Sequence, residues 1–375
     1  MRFHRRASVD LDPGRLVARI ALVLALAVSI AAGGAPTASA SYPGRAGVIA
    51  FPYQSHRFES DQTPLDGYQL DAVRPPGRHV RGVLECSLAG GYSYAQVICP
   101  LAAPAFSPDG RQMAFLGDEV SSGSDASPAC PTLGACPSTL TIANVDGRAA
   151  RTLAPLTADD EQPAFLPGGQ TLVFAGRPQQ GAPFDLYTIT SSGTGLTRLT
   201  SSGASQPAPC ANGSIAFVHR GDIYLLSADH RTQRRLTLRG GNSPDCSPDG
   251  RWIAFVRHRD LYLINSAGTR VRRLTTHHVL DRPPFGEQDE RPAFAPTGQR
   301  IAIITFNCRS HRNCCSKNYD GSNPNCVEPF YQLDVVDLRG RVRSKLPVSS
   351  CYANREGSTS CDALGGVAWQ PLSTR

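Results

Sequence analysis

The chain has 375 residues, with 38 Lys+Arg against 31 Asp+Glu, 41% hydrophobic and 18% charged side chains. That apolar share can bury a core and excludes an intrinsically disordered chain, while 35 glycines and 30 prolines are unsuited to long helices. Lys317 and Lys345 are its two lysines, so the positive charge is nearly all arginine.

Arg2, Arg5, Arg6, Arg15 and Arg19 form a basic start, Ile20 to Ala32 is an uninterrupted run of apolar and small residues, and Ala38-Ser39-Ala40 is an Ala-x-Ala cleavage site. Residues 1–40 are therefore expected to be a signal peptide, with residues 41–375 forming a secreted, periplasmic or cell-surface domain. The run falls short of the roughly 20 residues that span a bilayer, so no membrane span is expected after cleavage. Retention as an uncleaved anchor is the alternative. Cleavage leaves 33 basic against 29 acidic residues, a net charge of +4. A charge that small and evenly spread does not point to nucleic acid. Twelve cysteines, an even number, in an exported chain point to disulfides.

From residue 48 onward a repeat governs the chain. Val48-Ile49-Ala50-Phe51 reads as a strand, followed by Tyr68-Gln69-Leu70-Asp71 and Val80-Arg81-Gly82-Val83. Pro104-Ala105-Phe106-Ser107-Pro108-Asp109-Gly110 then opens the first complete unit, and related segments end at Gly169, Gly213, Gly250 and Gly298. Pro fixes φ, Asp or Asn bonds its own backbone and Gly supplies φ > 0, so each segment is a hairpin turn between two short strands. A third strand follows at Asp185-Leu186-Tyr187, Asp222-Ile223-Tyr224 or Asp260-Leu261-Tyr262, and a fourth ends in Arg198-Leu199-Thr200, Arg235-Leu236-Thr237 or Arg273-Leu274-Thr275. Four short strands per unit, repeating about every 37 to 59 residues, predict propeller blades. The first unit lacks an inner strand, and Gly366-Val367-Ala368-Trp369-Gln370-Pro371 supplies it. The expected fold is all-β: a six-bladed β-propeller closed by pairing of its N- and C-terminal strands, which leaves no open sheet edge.

The PAFSPDG, IAF, DIY and RLT pattern resembles the TolB-type propeller repeats, a WD-like class, over roughly residues 47–371. The resemblance implies the propeller fold and a place in envelope assemblies such as docking to a peptidoglycan-associated lipoprotein. TolB proteins carry an α/β domain ahead of the propeller, whereas here Val48 follows Ser41 by seven residues.

Alternating strand direction puts the first-to-second and third-to-fourth turns on one face, and the second-to-third loops and blade connections on the other. The long insertions all belong to the second group: 85–103, 118–137, 276–291, 307–329 and 349–365. They carry Cys86 and Cys99, Cys130 and Cys136, Cys308, Cys314, Cys315 and Cys326, and Cys351 and Cys361, above neighbouring blades 6, 1 and 2. Local disulfides stapling one raised rim are expected. Cys210 and Cys246, near the inner strands of blades 4 and 5, either bridge or remain two buried thiols. Cys308, Cys314, Cys315 and Cys326 with His311 lack the paired spacing of a zinc site, and adjacent cysteines in an exported chain favour disulfides.

Residues just before each inner strand, Asp160, Glu161, Gln206, Asn242, Glu290 and Arg291, are expected at the channel mouth as a ligand-binding ring. Gly91-Tyr92-Ser93-Tyr94-Ala95 lacks the strand–turn–helix setting of a nucleophile elbow. His277 and His278, with Asp281, Glu287, Asp289 and Glu290, are the weak candidates for a divalent metal. The expected function is an exported non-catalytic binding or scaffold module that recognises a protein, peptide or polar ligand on its disulfide-rich face and uses no cofactor. The alternative is a secreted hydrolase or lyase holding a metal near the channel.

Overall fold

The computed structural model describes residues 42–58, 64–75, 80–87, 96–121, 139–153, 159–179, 181–276, 292–307, 330–350, 352–353, 359–360 and 367–372. Residues 1–40, expected to be a signal peptide, His277, His278, Glu290, Arg291 and Cys130, Cys136, Cys308, Cys314, Cys315, Cys326, Cys351 and Cys361 lie outside them.

Six four-stranded antiparallel sheets form the blades. Blade 1 combines β1 (Arg45–Phe58), β2 (Pro64–Val73) and β3 (Val80–Ser87) with a last strand from the other end of the chain. Blade 2 holds β4 (Gln96–Phe106), β5 (Gln112–Ser121), β6 (Thr139–Asn144) and β7 (Arg151–Thr152). Blade 3 holds β8 (Asp159–Phe165), β9 (Thr171–Arg177), β10 (Asp185–Thr190) and β11 (Thr197–Arg198). Blade 4 holds β12 (Ser205–Pro209), β13 (Ile215–His219), β14 (Asp222–Leu226) and β15 (Gln233–Arg235). Blade 5 holds β16 (Asn242–Cys246), β17 (Trp252–Arg257), β18 (Asp260–Asn265) and β19 (Val271–Arg273). Blade 6 holds β20 (Ala293–Phe294), β21 (Arg300–Asn307), β22 (Phe330–Asp337) and β23 (Val342–Ser350). A small hairpin, β24 (Tyr352–Ala353) with β25 (Thr359–Ser360), follows, and β26 (Ala368–Leu372) completes blade 1.

Ring closure takes the expected form. β26 runs antiparallel to β1, with Trp369 opposite Ile49 and Leu372 opposite Arg45. Gln370 Nε2 also donates to the Gly110 carbonyl of blade 2 at 2.9 Å. A Cβ on Gly110, at φ +68°, would lie 2.0 Å from the Pro371 carbonyl oxygen, so only glycine admits the closing strand here.

The turns form as their residues dictate. Ser107 Oγ and Arg111 N–H both donate to Asp109 Oδ1, at 2.6 and 3.0 Å, and Ser247, Asp249 and Arg251 repeat the arrangement at 2.6 and 3.1 Å. Second strands are buried on both sides because blades stack face to face. Phe51, Phe115, Phe174, Phe217 and Phe255 occupy one repeating position and are fully buried.

The DIY and RLT motifs are one device seen twice. In blade 4, Asp222 accepts from Thr237 Oγ1 and Gly240 N–H, both at 2.9 Å, and pairs with Arg235, while Thr237 Oγ1 accepts Ile223 N–H at 2.9 Å. Asp185 with Thr200 and Arg198 repeats it in blade 3, and in blade 5 Asp260 pairs with Arg273 while Thr275 caps Leu261 N–H. Burial pushes the Asp222 carboxyl up, but the hydrogen bonds and the guanidinium together hold it below its ordinary value. These motifs brace the outer strand against the third and carry no ligand chemistry.

Other arginines tie blades together. Arg234 donates to the Ser266 and Ala267 carbonyls of the next blade at 2.8 Å each, and Arg272 to the Leu338 carbonyl at 2.6 Å.

Candidate functional site

The inner strands line a central channel, and those of blades 3, 4 and 5 share a local break. Gln162, Gln206 and Ser243 hold φ of 53°, 54° and 49° although each precedes a proline, where extended backbone is the rule. The strand register shifts at each of these points. Gln206 Oε1 uses the break to accept the Ser243 N–H of the next blade at 2.6 Å.

Below these breaks the wall is apolar: Pro163 and Ala164, Pro207 and Ala208, Pro292 and Ala293, with Trp369 from the closing strand. Blade 5 departs from the pattern. Where the other blades place Ala105, Ala164, Ala208, Ala293 and Ala368, it has Asp245, whose Oδ2 accepts Phe294 N–H at 2.7 Å. The cavity volume is about 40 Å³, room for a few waters but far below the size of an ordinary ligand site. Gln162 Oε1 and Trp369 Nε1 are buried polar atoms without a hydrogen-bond partner. Among the described residues no group of three or more His, Cys, Asp or Glu is placed to hold a metal.

Tyr42, ahead of the first blade, packs with Ala114, Leu140 and Phe174 of blades 2 and 3 at the end of the ring that carries the Pro-Asp-Gly turns. Its side chain is 1% exposed, its hydroxyl donates to the Phe165 carbonyl, and two residues on Gly44 N–H reaches the Pro296 carbonyl at 3.3 Å. Burial, and secondarily the charge of Asp245, raise the Tyr42 hydroxyl well above its ordinary pKa, so it stays a neutral donor. No repeat logic points to Tyr42, which belongs to no blade. Asp245 was visible as the one acidic residue in a column of alanines.

At the other mouth, Asp160 and Glu161 lie in β8, Gln206 in β12 and Asn242 at the start of β16. Asn242 is exposed. Gln206 is engaged in the bond to Ser243 just described. Around this mouth the blades are unequal. β1, β4 and β5 run 14, 11 and 10 residues, against five for β12 and β13. In blade 6, β22 and β23 run eight and nine. The extra length projects on the side of the second-to-third loops and blade connections. Part of what the sequence reads as loop is therefore strand: Cys86 lies in β3 and Cys99 in β4. Extended hairpins of blades 6, 1 and 2 build the raised rim.

Cys210 and Cys246 form a disulfide joining blades 4 and 5, with Cα atoms 5.2 Å apart. Cys246 takes the position that Phe106, Phe165 and Phe294 fill elsewhere, and the smaller side chain leaves room for the bridge.

Charge is not evenly spread, contrary to the sequence reading. Residues 201–276, which form blades 4 and 5, hold eleven arginines against five aspartates, and three of those aspartates are buried.

These features define a six-bladed β-propeller closed by its two ends, with strand extensions on one face. No protein-family model matches the chain, and no curated protein sequence matches it. Among solved structures it is similar to TolB from Acinetobacter baumannii, at 17% identity and a TM-score of 0.54, covering 87% of this chain and 67% of that one. It is also similar to hydrazine synthase of Kuenenia stuttgartiensis, at 12% identity and 0.53, covering 90% and 48%. A nidogen/laminin complex matches at 12% and 0.50, covering 88% and 100%. At these identities the likeness is one of fold, and the fold is a TolB-like six-bladed propeller.

Proposed function

We propose that the protein is an exported, non-catalytic binding module that recognises a protein or peptide partner on its raised, cysteine-rich face, around the channel mouth bordered by Asp160, Glu161 and Asn242. The observation that carries this reading is an asymmetry. Strand extensions gather on one face of three neighbouring blades, while the apolar cavity between the inner strands holds about 40 Å³. A partner therefore meets a surface, and a substrate would find little room inside. The TolB-like fold and the disulfide between blades 4 and 5 agree with an exported protein. The nidogen/laminin structure is an instance of the fold in a protein–protein complex. A propeller hydrolase or lyase using a metal at His277 and His278 is the competing reading.

The test combines capture and metal analysis. Immobilised protein should retain a specific envelope protein of its host, and Asp160→Arg with Asn242→Arg should weaken retention at least about tenfold, the cost of one or two lost polar contacts. Stoichiometric divalent metal that disappears in His277→Ala with His278→Ala, together with hydrolytic activity, would replace this reading by the enzymatic one.

A further inference from the structure

We propose that the opposite, turn-bearing face is a docking surface for a bilayer of anionic lipids. Five of its turns share an Asp-x-Arg pattern, ending in Arg111, Arg148, Arg231, Arg251 and Arg339. In each, the aspartate accepts a backbone N–H of its own turn, and in four of the five it is exposed beside the exposed arginine. These carboxylates stay ionised: Ser227 O–H and Arg231 N–H lower the Asp229 pKa, and the Arg341 N–H, with Arg343 and the Arg339 N–H, brings Asp337 to about 2, so each turn is near neutral and the positive surplus of the face comes from the further arginines. The nearest guanidinium contacts within these pairs are loose, 3.8 Å for Arg148 with Asp146 and for Arg251 with Asp249. Arg270, Arg300 and Arg341, also exposed, add to the same face.

Charge alone would fit any polyanion. The apolar residues select the bilayer. Among the described residues four large hydrophobic side chains are exposed, and three of them, Leu196 at 42%, Val271 at 48% and Val342 at 37%, sit where an outer strand leaves its turn on this face. Exposed aliphatic side chains interleaved with arginines match an interface of acyl chains beneath phosphate headgroups, whereas an acidic polypeptide needs only the charge. This inference is independent of what the raised face binds.

The experiment uses the protein as recovered after export, with its N-terminal sequence determined, floated with vesicles of phosphatidylcholine containing about one third phosphatidylglycerol, and with phosphatidylcholine alone. Binding is expected to the anionic vesicles and to vanish in about 0.5 M salt. Each arginine near an anionic surface strengthens partition about fivefold, so Arg231→Glu, Arg251→Glu, Arg270→Glu and Arg339→Glu together should cost more than about 100-fold. Arg220→Glu with Arg239→Glu, exposed on the other face, should cost less than about fivefold. Val271→Ser with Val342→Ser, which leaves charge and fold intact, should cost about tenfold and serves if the quadruple variant does not fold. Equal binding to neutral vesicles, equal loss in the other-face variant, or binding to polyglutamate without binding to vesicles would overturn the proposal.

Discussion

Deleting residues 366–375 is expected to abolish cooperative unfolding. The deletion removes β26, and with it the inner strand of blade 1. Val367 and Trp369, each 4% exposed, pack in the core between blades 1 and 6 with Ile49, Phe51 and Leu333. Burying side chains of this kind contributes roughly 1.5–3 kcal/mol each, against a total margin of about 5–15 kcal/mol for a folded domain. The loss does not stop there. β1 becomes an open edge facing the channel, Gly110 loses its bond from Gln370, and blade 2 loses its neighbour. A ring transmits that gap to every blade. The truncated chain should show no sharp thermal transition by circular dichroism and should expose hydrophobic surface to a dye. A truncated protein with an unchanged melting curve would mean that β26 is dispensable.

The second large effect belongs to the bridge between blades 4 and 5. Cys210 and Cys246 are 36 residues apart and almost wholly buried. Closing a loop of that length in the unfolded chain corresponds to about 4 kcal/mol on the chain-entropy account. Cys210→Ala with Cys246→Ala should therefore lower the melting temperature by roughly 5–10 °C for a chain of this size. Unreduced peptide mapping of the wild type should recover the two cysteines in one linked fragment. Separate fragments without reductant, or a melting temperature that does not move, would refute the bridge.

Much of the fold was legible because repetition supplies its own alignment. The Pro-Asp-Gly turns placed hairpins, and the missing inner strand before Val48 pointed to Val367-Ala368-Trp369 at the other end. The six blades and their closure followed. The site was less legible for physical reasons. Tyr42 packs against the ring once and has no counterpart in any blade, so periodicity is silent about it. Gln206 looked like a free polar group at the mouth, but its amide reaches the neighbouring Ser243, and contacts between blades do not show in a sequence read one repeat at a time. Cys86 and Cys99 were read as loop residues because insertions interrupt the repeat, yet the hairpins continue past the disc as paired strand. Net charge concealed the arrangement of arginines, because acids in other blades cancel in the sum what geometry keeps apart.

Hydrogen exchange on the closing strand tests the ring most directly. Followed by mass spectrometry, the peptide spanning residues 367–372 should exchange as slowly as β17, since both depend on global opening of the propeller. Exchange of 367–372 within seconds, beside a protected β17, would show that the two ends of the domain do not share a sheet, and the assignment of its faces would fall.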